Sequence, residues 1–554
     1  MHYPTWLFTV ALTTSATFGA EEPSTSWEHA PSDYVVPAGM VHGGAFIDRI
    51  LPMPVANGLR SDGWGGDNVK PRNMDNGLED PKWSYWCMDV FHADGKEHMF
   101  AVRWPESSPK GHMTWPQSSI VHAVADDPTG PFQVKQEVGP GHNVMCYQAK
   151  NGSYVLYAIG RAYTATSLDG PWQPYDLKFD TRGTAEVPMS NHTFTQREDG
   201  SYLMISRGGH VWISEDGLKP FQKITTESAY PPVKGRYEDP VVWRDEVQYH
   251  LIVNDWFGRI AYYLRSKDGI SWVWDQGKAY DITMARHPDG SREKWYKFER
   301  PNVRQDALGR ATHIYFAVID SGKDQDLGND NHSSKIIALP LSVQRRLKML
   351  DNTPTAATTA EIRVSILAEE GFDPTQDVDV SSLTFGAPKA VDFGKGCKAI
   401  KSEISGKDLV VTFAGESGFE PIDFAGKLLG KNRRGELLYG YVRLPGHTDP
   451  TAALSPRQPL LDGTERLSIT VDNFGLAASD AATMQVRFRG QDRKSHEVSA
   501  ALPAMPPNAT ATVAVAIPAG VLKPGTPCPV EIITPCKNSQ PLITKTKVNV
   551  PATP

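Results

Sequence analysis

A repeat constrains this chain more than anything else in it. Between residues 84 and 342 one pattern recurs: an apolar strand, a tip containing Gly or Asp, and a second apolar strand running back. The tips and returns read HADGKEHMFAV, AKNGSYVLYAI, REDGSYLMIS, WRDEVQYHLIV and DALGRATHIYFAV. Asp-Gly and Asn-Gly supply the positive φ that tight hairpins need. After a third strand a further turn closes most units, as in VADDPTGPFQV, TSLDGPWQPY, ISEDGLKPFQKI and RSKDGISWVWD. Such units must stack on one another to bury their faces, and helical periodicity is weak throughout. The expected fold is all-β, with residues 21–348 forming a five-bladed β-propeller. The fifth unit ends in KIIALPLS, and the stretch from Gly44 to Leu51 is expected to supply its missing outer strand. Closing the ring in this way removes exposed sheet edges.

The rest of the chain is shorter-stranded. DNTPTAATTA, residues 351–360, reads as a linker. Residues 349–447 and 448–554 then read as two β-sandwich domains, the second of immunoglobulin or fibronectin type. Residues 1–20 resemble a secretory signal peptide, apolar from Trp6 to Leu12 and then rich in small residues, so the expected location is secreted or periplasmic. No later stretch is long enough for a membrane span. A net charge of -7 with no basic run argues against nucleic acid as a partner. Of five cysteines, Cys528 and Cys536 suit a short hairpin disulfide, with buried thiols as the alternative. No cofactor is required by any motif. A structural calcium is an option, through Asp373, Asp377 and Asp379, with solvated turn aspartates as the alternative.

In a propeller the first strand of each blade lines the centre. Aligning the five first strands brings polar residues to one depth: Asp89, then His142 and Asn143, Asn191 and His192, Glu238 and Asp239, and Glu299 and Arg300. From Asp89 to His142, His192, Asp239 and Glu299 the steps are 53, 50, 47 and 60 residues. Solvated turns would not space ionisable groups so evenly, and carboxylates at the head of apolar strands are costly unless paired or used.

These residues carry a resemblance. YEDPVVWRDE is similar to the D-P strand of the five-bladed propeller glycoside hydrolases, the superfamily holding families 43, 62, 32, 68 and 117, over roughly residues 40 to 345. The resemblance implies three catalytic carboxylates: Asp89 as base, Asp239 orienting the sugar and tuning the acid, and Glu299 as acid, with Glu238 competing for that role. Glu238 ranks second because neighbours on an extended strand face opposite ways. Arg300 beside Glu299 is a candidate to pair with it and lower its pKa. Through family 117 the resemblance also admits a histidine acid, His142 or His192. Families 43 and 117 favour inversion.

The substrate implied is carbohydrate, cleaved at terminal glycosidic bonds. Asn143, Asn191 and Arg300 are expected to bind it, and Trp64, Trp83, Trp86 and Trp115 to stack on sugar faces. The Gly- and Asn-rich stretch from Gly58 to Trp83 is expected to wall the pocket. Arg103, Arg207, Arg259 and Arg300 suit a carboxylate or sulfate on the sugar. The alternatives are a non-catalytic glycan-binding propeller and a polysaccharide lyase.

Overall fold

The computed structural model describes residues 32–552, apart from 185–189, 354, 358–360, 464 and 537–540. The expected signal peptide lies outside the described residues. The chain is nearly all β, in antiparallel sheets. No helix among the described residues is long and apolar enough to cross a membrane.

Five sheets follow one another. The first holds Trp83–Ala93, Lys96–Pro105, Ser119–Ala125 and Gln133–Pro140, and the second runs from Met145–Gln148 to Gln173–Tyr175. The third has Thr193–Gln196 as its first strand, the fourth Tyr237–Arg244 and the fifth Lys297–Gln305. The hairpin signals work as local chemistry requires. Asp94 (φ 51°) and Gly95 (φ 74°) are both left-handed between the paired residues Ala93 and Lys96, as a type I′ turn demands. In the second kind of turn an aspartate caps the loop. Asp216 Oδ1 accepts the N–H groups of Leu218 and Lys219, and Asp268 Oδ1 those of Ile270 and Ser271.

The first strands contact one another in a closed circuit, first to second, third, fourth, fifth and back to the first. Apolar side chains then pack between neighbouring sheets. Phe100 and Trp104 of the first share a core with Tyr315 of the fifth. Trp243 of the fourth shares one with Phe316 of the fifth. Leu203 of the third and Leu251 of the fourth belong to another, and Tyr157 of the second and Trp212 of the third to another. The fifth sheet has three strands. The N-terminal stretch touches its edge through the single bridge Ile50–Leu341, because Phe46–Arg49 coils into a 3-10 turn. Leu78 bridges Ile336 on the same strand.

The two C-terminal regions differ. Where two stacked sheets are expected within 349–447, the strands from Leu347–Met349 to Leu437–Arg443 form one seven-stranded sheet. Its first and last strands contact each other, so the sheet curls around its own core of Phe385, Val411 and Leu428 and needs no facing partner. From Leu454 onward two four-stranded sheets share a core that includes Ile469, Val486, Val515 and Ile532.

Both regions are fastened to the five sheets by buried cations. Arg49 donates to Tyr441 and lies against the Tyr439 ring. Arg182 pairs with Asp472. The five cysteines are free thiols. Cys528 lies in Pro527–Thr534 and Cys536 just past its end, and eight residues along a strand at ~3.3 Å each is too far for a disulfide. The carboxylates considered for calcium hold turns: Asp373 accepts from Thr375, Asp377 from the Asp373 N–H, and Asp379 from Ser381.

Candidate active site

One residue in or just before each first strand leaves the extended conformation: Cys87 (φ 42°), Asn143 (56°), Asn191 (51°), Asp239 (53°) and Arg300 (51°). Non-glycine residues avoid the left-handed region, so a fivefold recurrence marks equivalent positions. In three of the strands the ladder shifts register there, between Trp86 and Met88, Glu238 and Val241, and Glu299 and Asn302. A bulge re-aims side chains. Their side chains form a hydrogen-bonded chain. Cys87 Sγ donates to Asn143 Oδ1 at 2.9 Å and the Asn143 amide donates to Asn191. Asn191 Nδ2 and Arg300 Nη1 each donate to Asp239 Oδ1 at 2.9 Å, and the Arg300 backbone N–H donates to Oδ2 at 3.1 Å.

Above this ring opens a cavity of about 250 Å³. Each sheet contributes the start of its first strand and the connection between its second and third. The first supplies Trp86 with His112 and Trp115, the second His142 and Asn143 with Ile159, and the third Ser190 and Asn191 with Arg207. The fourth gives Glu238 and Asp239 with Trp256, and the fifth Glu299 and Arg300 with Lys323.

Glu238 and Asp239 therefore share the pocket, contrary to the strand-alternation argument. The left-handed turn at Asp239 cancels the alternation, and Asn191 Nδ2 bridges the two acids, 2.6 Å from Glu238 Oε1. Burial and the Asp239 carboxylate push the Glu238 carboxyl up to about 7, against the pull of Arg207, 3.2 Å away, and of Lys323. Glu299 is shifted the other way. Burial would raise it, but Lys323 Nζ at 2.6 Å and Lys297 Nζ at 3.4 Å hold it below the ordinary carboxylate value. Arg300, expected to pair with Glu299, is committed to Asp239.

His142 lines the pocket, accepting or donating at Nδ1 with Ser118 Oγ, 3.0 Å away. Burial, with Arg300 and Lys323 nearby, drives its pKa well below the usual histidine range. A neutral imidazole is a poor proton donor. His192 is not in the pocket. It is fully buried, stacked on Tyr157 at 5.1 Å.

Asp89 lies elsewhere. The left-handed residue of the first strand is Cys87, so the residue matching Glu238 and Glu299 is Trp86, and Asp89 sits farther along the strand. It accepts from the Cys146 N–H at 2.6 Å and Asn302 Nδ2 at 2.8 Å. It lines a second cavity toward the other end of the first strands, with Phe194, Val241 and Asn302. Arg103 stacks on Trp83 at 3.9 Å and Arg259 on Tyr296 at 4.7 Å, both outside the pocket lining. Trp64 packs on Trp295 under Arg72, and none of residues 58–83 lines the pocket. Trp86 does line it, 2% exposed beneath Lys323. Trp115 and Trp256 are the half-buried tryptophans of its wall. The residues missing from the sequence reading, Lys323, Trp256 and His112, come from connections that carry no motif.

No protein-family model and no curated protein matches this chain. Solved structures to which it is similar are glycoside hydrolases. A family 117 glycoside hydrolase from the marine bacterium Zobellia galactanivorans is 14% identical, over 50% of this chain and 88% of that one, with a TM-score of 0.36. A GH43 enzyme from Xanthomonas citri is 10% identical over 47% and 88%, with a TM-score of 0.33. A further glycoside hydrolase spans 81% of this chain and 97% of its own at 11% identity and a TM-score of 0.35.

Proposed function

We propose that this protein is a glycoside hydrolase acting on terminal sugars, with Glu238 as general acid and Glu299 as the ionised carboxylate opposite. One observation carries the reading: two carboxyl groups in one pocket are pushed in opposite directions, Glu238 up to about 7 and Glu299 down. Glycosidic cleavage needs such a pair, one group to protonate the leaving oxygen and the other to activate water or attack the anomeric carbon. Asp239 has both oxygens engaged by Asn191 and Arg300, and its carboxylate beside Glu238 favours the protonated form of that acid. The tryptophan wall suits a sugar ring.

The five sheets act as the blades of a five-bladed propeller, supported by the closed circuit of first strands and the five left-handed positions. The C-terminal regions buttress it, and export through residues 1–20 completes the reading. Inversion is the favoured outcome. Of the three lining cations, Arg300 is committed to Asp239 and Lys323 to Glu299, while Arg207 stands beside Glu238, the acid that holds its proton in this reading. Recognition of a sulfated glycan then rests on Arg207. Comparing sulfated with desulfated oligosaccharides tests it, and equal cleavage removes it.

The deciding experiment is turnover on a panel of oligosaccharides, with proton NMR of the first product following its anomeric configuration. Glu238→Gln and Glu299→Gln are each expected to slow release by about 10² to 10⁴-fold while glycan binding persists. Wild-type binding without turnover would mean a binding propeller, and an unsaturated product absorbing in the ultraviolet would mean a lyase.

A further inference from the structure

A second acidic group lies away from the Glu238–Glu299 pair. The connection after Ala311–Ile319, residues 320–333, folds back over the end of Lys96–Pro105. Glu106, Asp326 and Asp330 each bring a carboxylate oxygen there within 4.8 Å of the others. Asp326 is 1% exposed, and neither of its oxygens makes a hydrogen bond, although the His112 N–H leans toward it. Glu106 accepts from Ser84 and Ser333 through Oε2. Asp330 accepts one backbone N–H at each oxygen, from Leu327 and His332. Three acids face Asp326, together with His332, whose Nδ1 pairs with Asp320 at 3.0 Å. Burial first, then Glu106, Asp330 and Asp320, push its carboxyl up to about 8. Among the described residues no lysine or arginine pairs with Glu106, Asp326 or Asp330.

A buried carboxylate among others needs a proton or a cation. An ion bound to oxygens at ~2.4 Å accepts ligands up to ~4.8 Å apart on its two sides, and carboxylates without nitrogen or sulfur select hard ions. We propose that Glu106, Asp326 and Asp330 form a calcium site that pins residues 320–333 to the first sheet. Three carboxylates from irregular connections, one of them at the surface, suit the irregular shell of Ca²⁺ better than the strict octahedron of Mg²⁺.

The position gives the ion a task. Asp326 O lies so close to Gly111 that a Cβ there would sit 1.8 Å away, and Gly111 opens the 3-10 turn Gly111–Gln117 that carries His112 and Trp115. Lys323, which holds Glu299 ionised, is in the same connection as Asp326. One ion thus steadies an aromatic wall and the cation partner of Glu299. The site shares no ligand with the acid pair, so its test stands apart from the hydrolase reading.

The experiment is calorimetric titration of EDTA-treated protein with calcium chloride, alongside thermal unfolding with and without Ca²⁺. One Ca²⁺ per chain is expected, with a rise in Tm of several degrees and a weaker response to Mg²⁺. Asp326→Asn, which resembles the protonated carboxyl in shape, should lose both responses, and Glu106→Gln provides a second variant if the first does not fold. Asp373→Asn, in a distant exposed turn, should keep them. No response in the wild type, an equal response in both ligand variants, or equal preference for Mg²⁺ would overturn the assignment.

Discussion

The two ends of the ring of first strands each hold a carboxyl group raised above its ordinary range, the buried Asp89 to about 6 and the half-buried Glu238 to about 7. Their surroundings differ. Burial raises Asp89, but neutral donors satisfy it, the Cys146 N–H and the Asn302 amide. Its cavity is walled by Phe91, Tyr147 and Val241. Glu238 faces a neighbouring carboxylate, an oppositely shifted partner and half-buried tryptophans. A raised pKa marks burial at one end and an acid with a counterpart at the other. In the proposed function the counterpart is what assigns reactivity to the Glu238 end.

Substituting both ends tests this contrast most strongly. Glu238→Gln should lower kcat/KM by about 10² to 10⁴-fold, with a smaller loss on substrates carrying an activated leaving group, which needs no proton. Glu299→Gln should lose a similar factor on both substrate types. Asp89→Asn should stay within about tenfold of wild type, since it touches no sugar in this reading. If Asp89→Asn were the most damaging of the three, the assignment of the two ends would be reversed.

Stability sharpens the comparison next. Asp89→Ala strands two buried donors and should cost about 1 to 3 kcal/mol by chemical denaturation. The raised Asp89 pKa also has a sign. The native carboxyl holds its proton between pH 3.8 and about 6 while the unfolded one releases it, so this contribution to stability is present at low pH and lost as pH rises through about 6. Asp89→Asn should flatten that slope, and an unchanged slope would assign it to another group.

The smallest effect is a shift in the pH–rate profile. An acid must be protonated to work, so activity should fall above pH about 7 as Glu238 ionises. Asp239 raises that pKa and Arg207 lowers it. Asp239→Asn should therefore move the basic limb down and Arg207→Gln move it up, each by roughly one pH unit. Shifts in the same direction would break the link between the limb and Glu238.

The hairpins were legible because Asp-Gly and Asn-Gly act on the residues beside them. The pocket was half legible. Asn143, Asn191, Asp239 and Arg300 lie in or just before four equivalent strands, yet in the first strand ionisable character pointed to Asp89, two residues beyond Cys87. What recurs is a backbone conformation, and Cys, Asn, Asp and Arg all adopt it. Glu238 was ranked low by a rule for extended strands that fails at a left-handed residue. Lys323 and Trp256 reach the pocket by packing between distant segments, which no local pattern encodes. The curled sheet after Leu347 was read as a sandwich because short strands and turns look alike in both.

The five left-handed residues also bear on how such a pocket changes over time. Its floor is shaped by where the chain bends, and the bend tolerates a thiol, an amide, a carboxylate or a guanidinium. Residues at these positions are thus exchangeable parts on a fixed frame. A lineage could alter what the floor recognises one substitution at a time, while the strands that carry it keep their places.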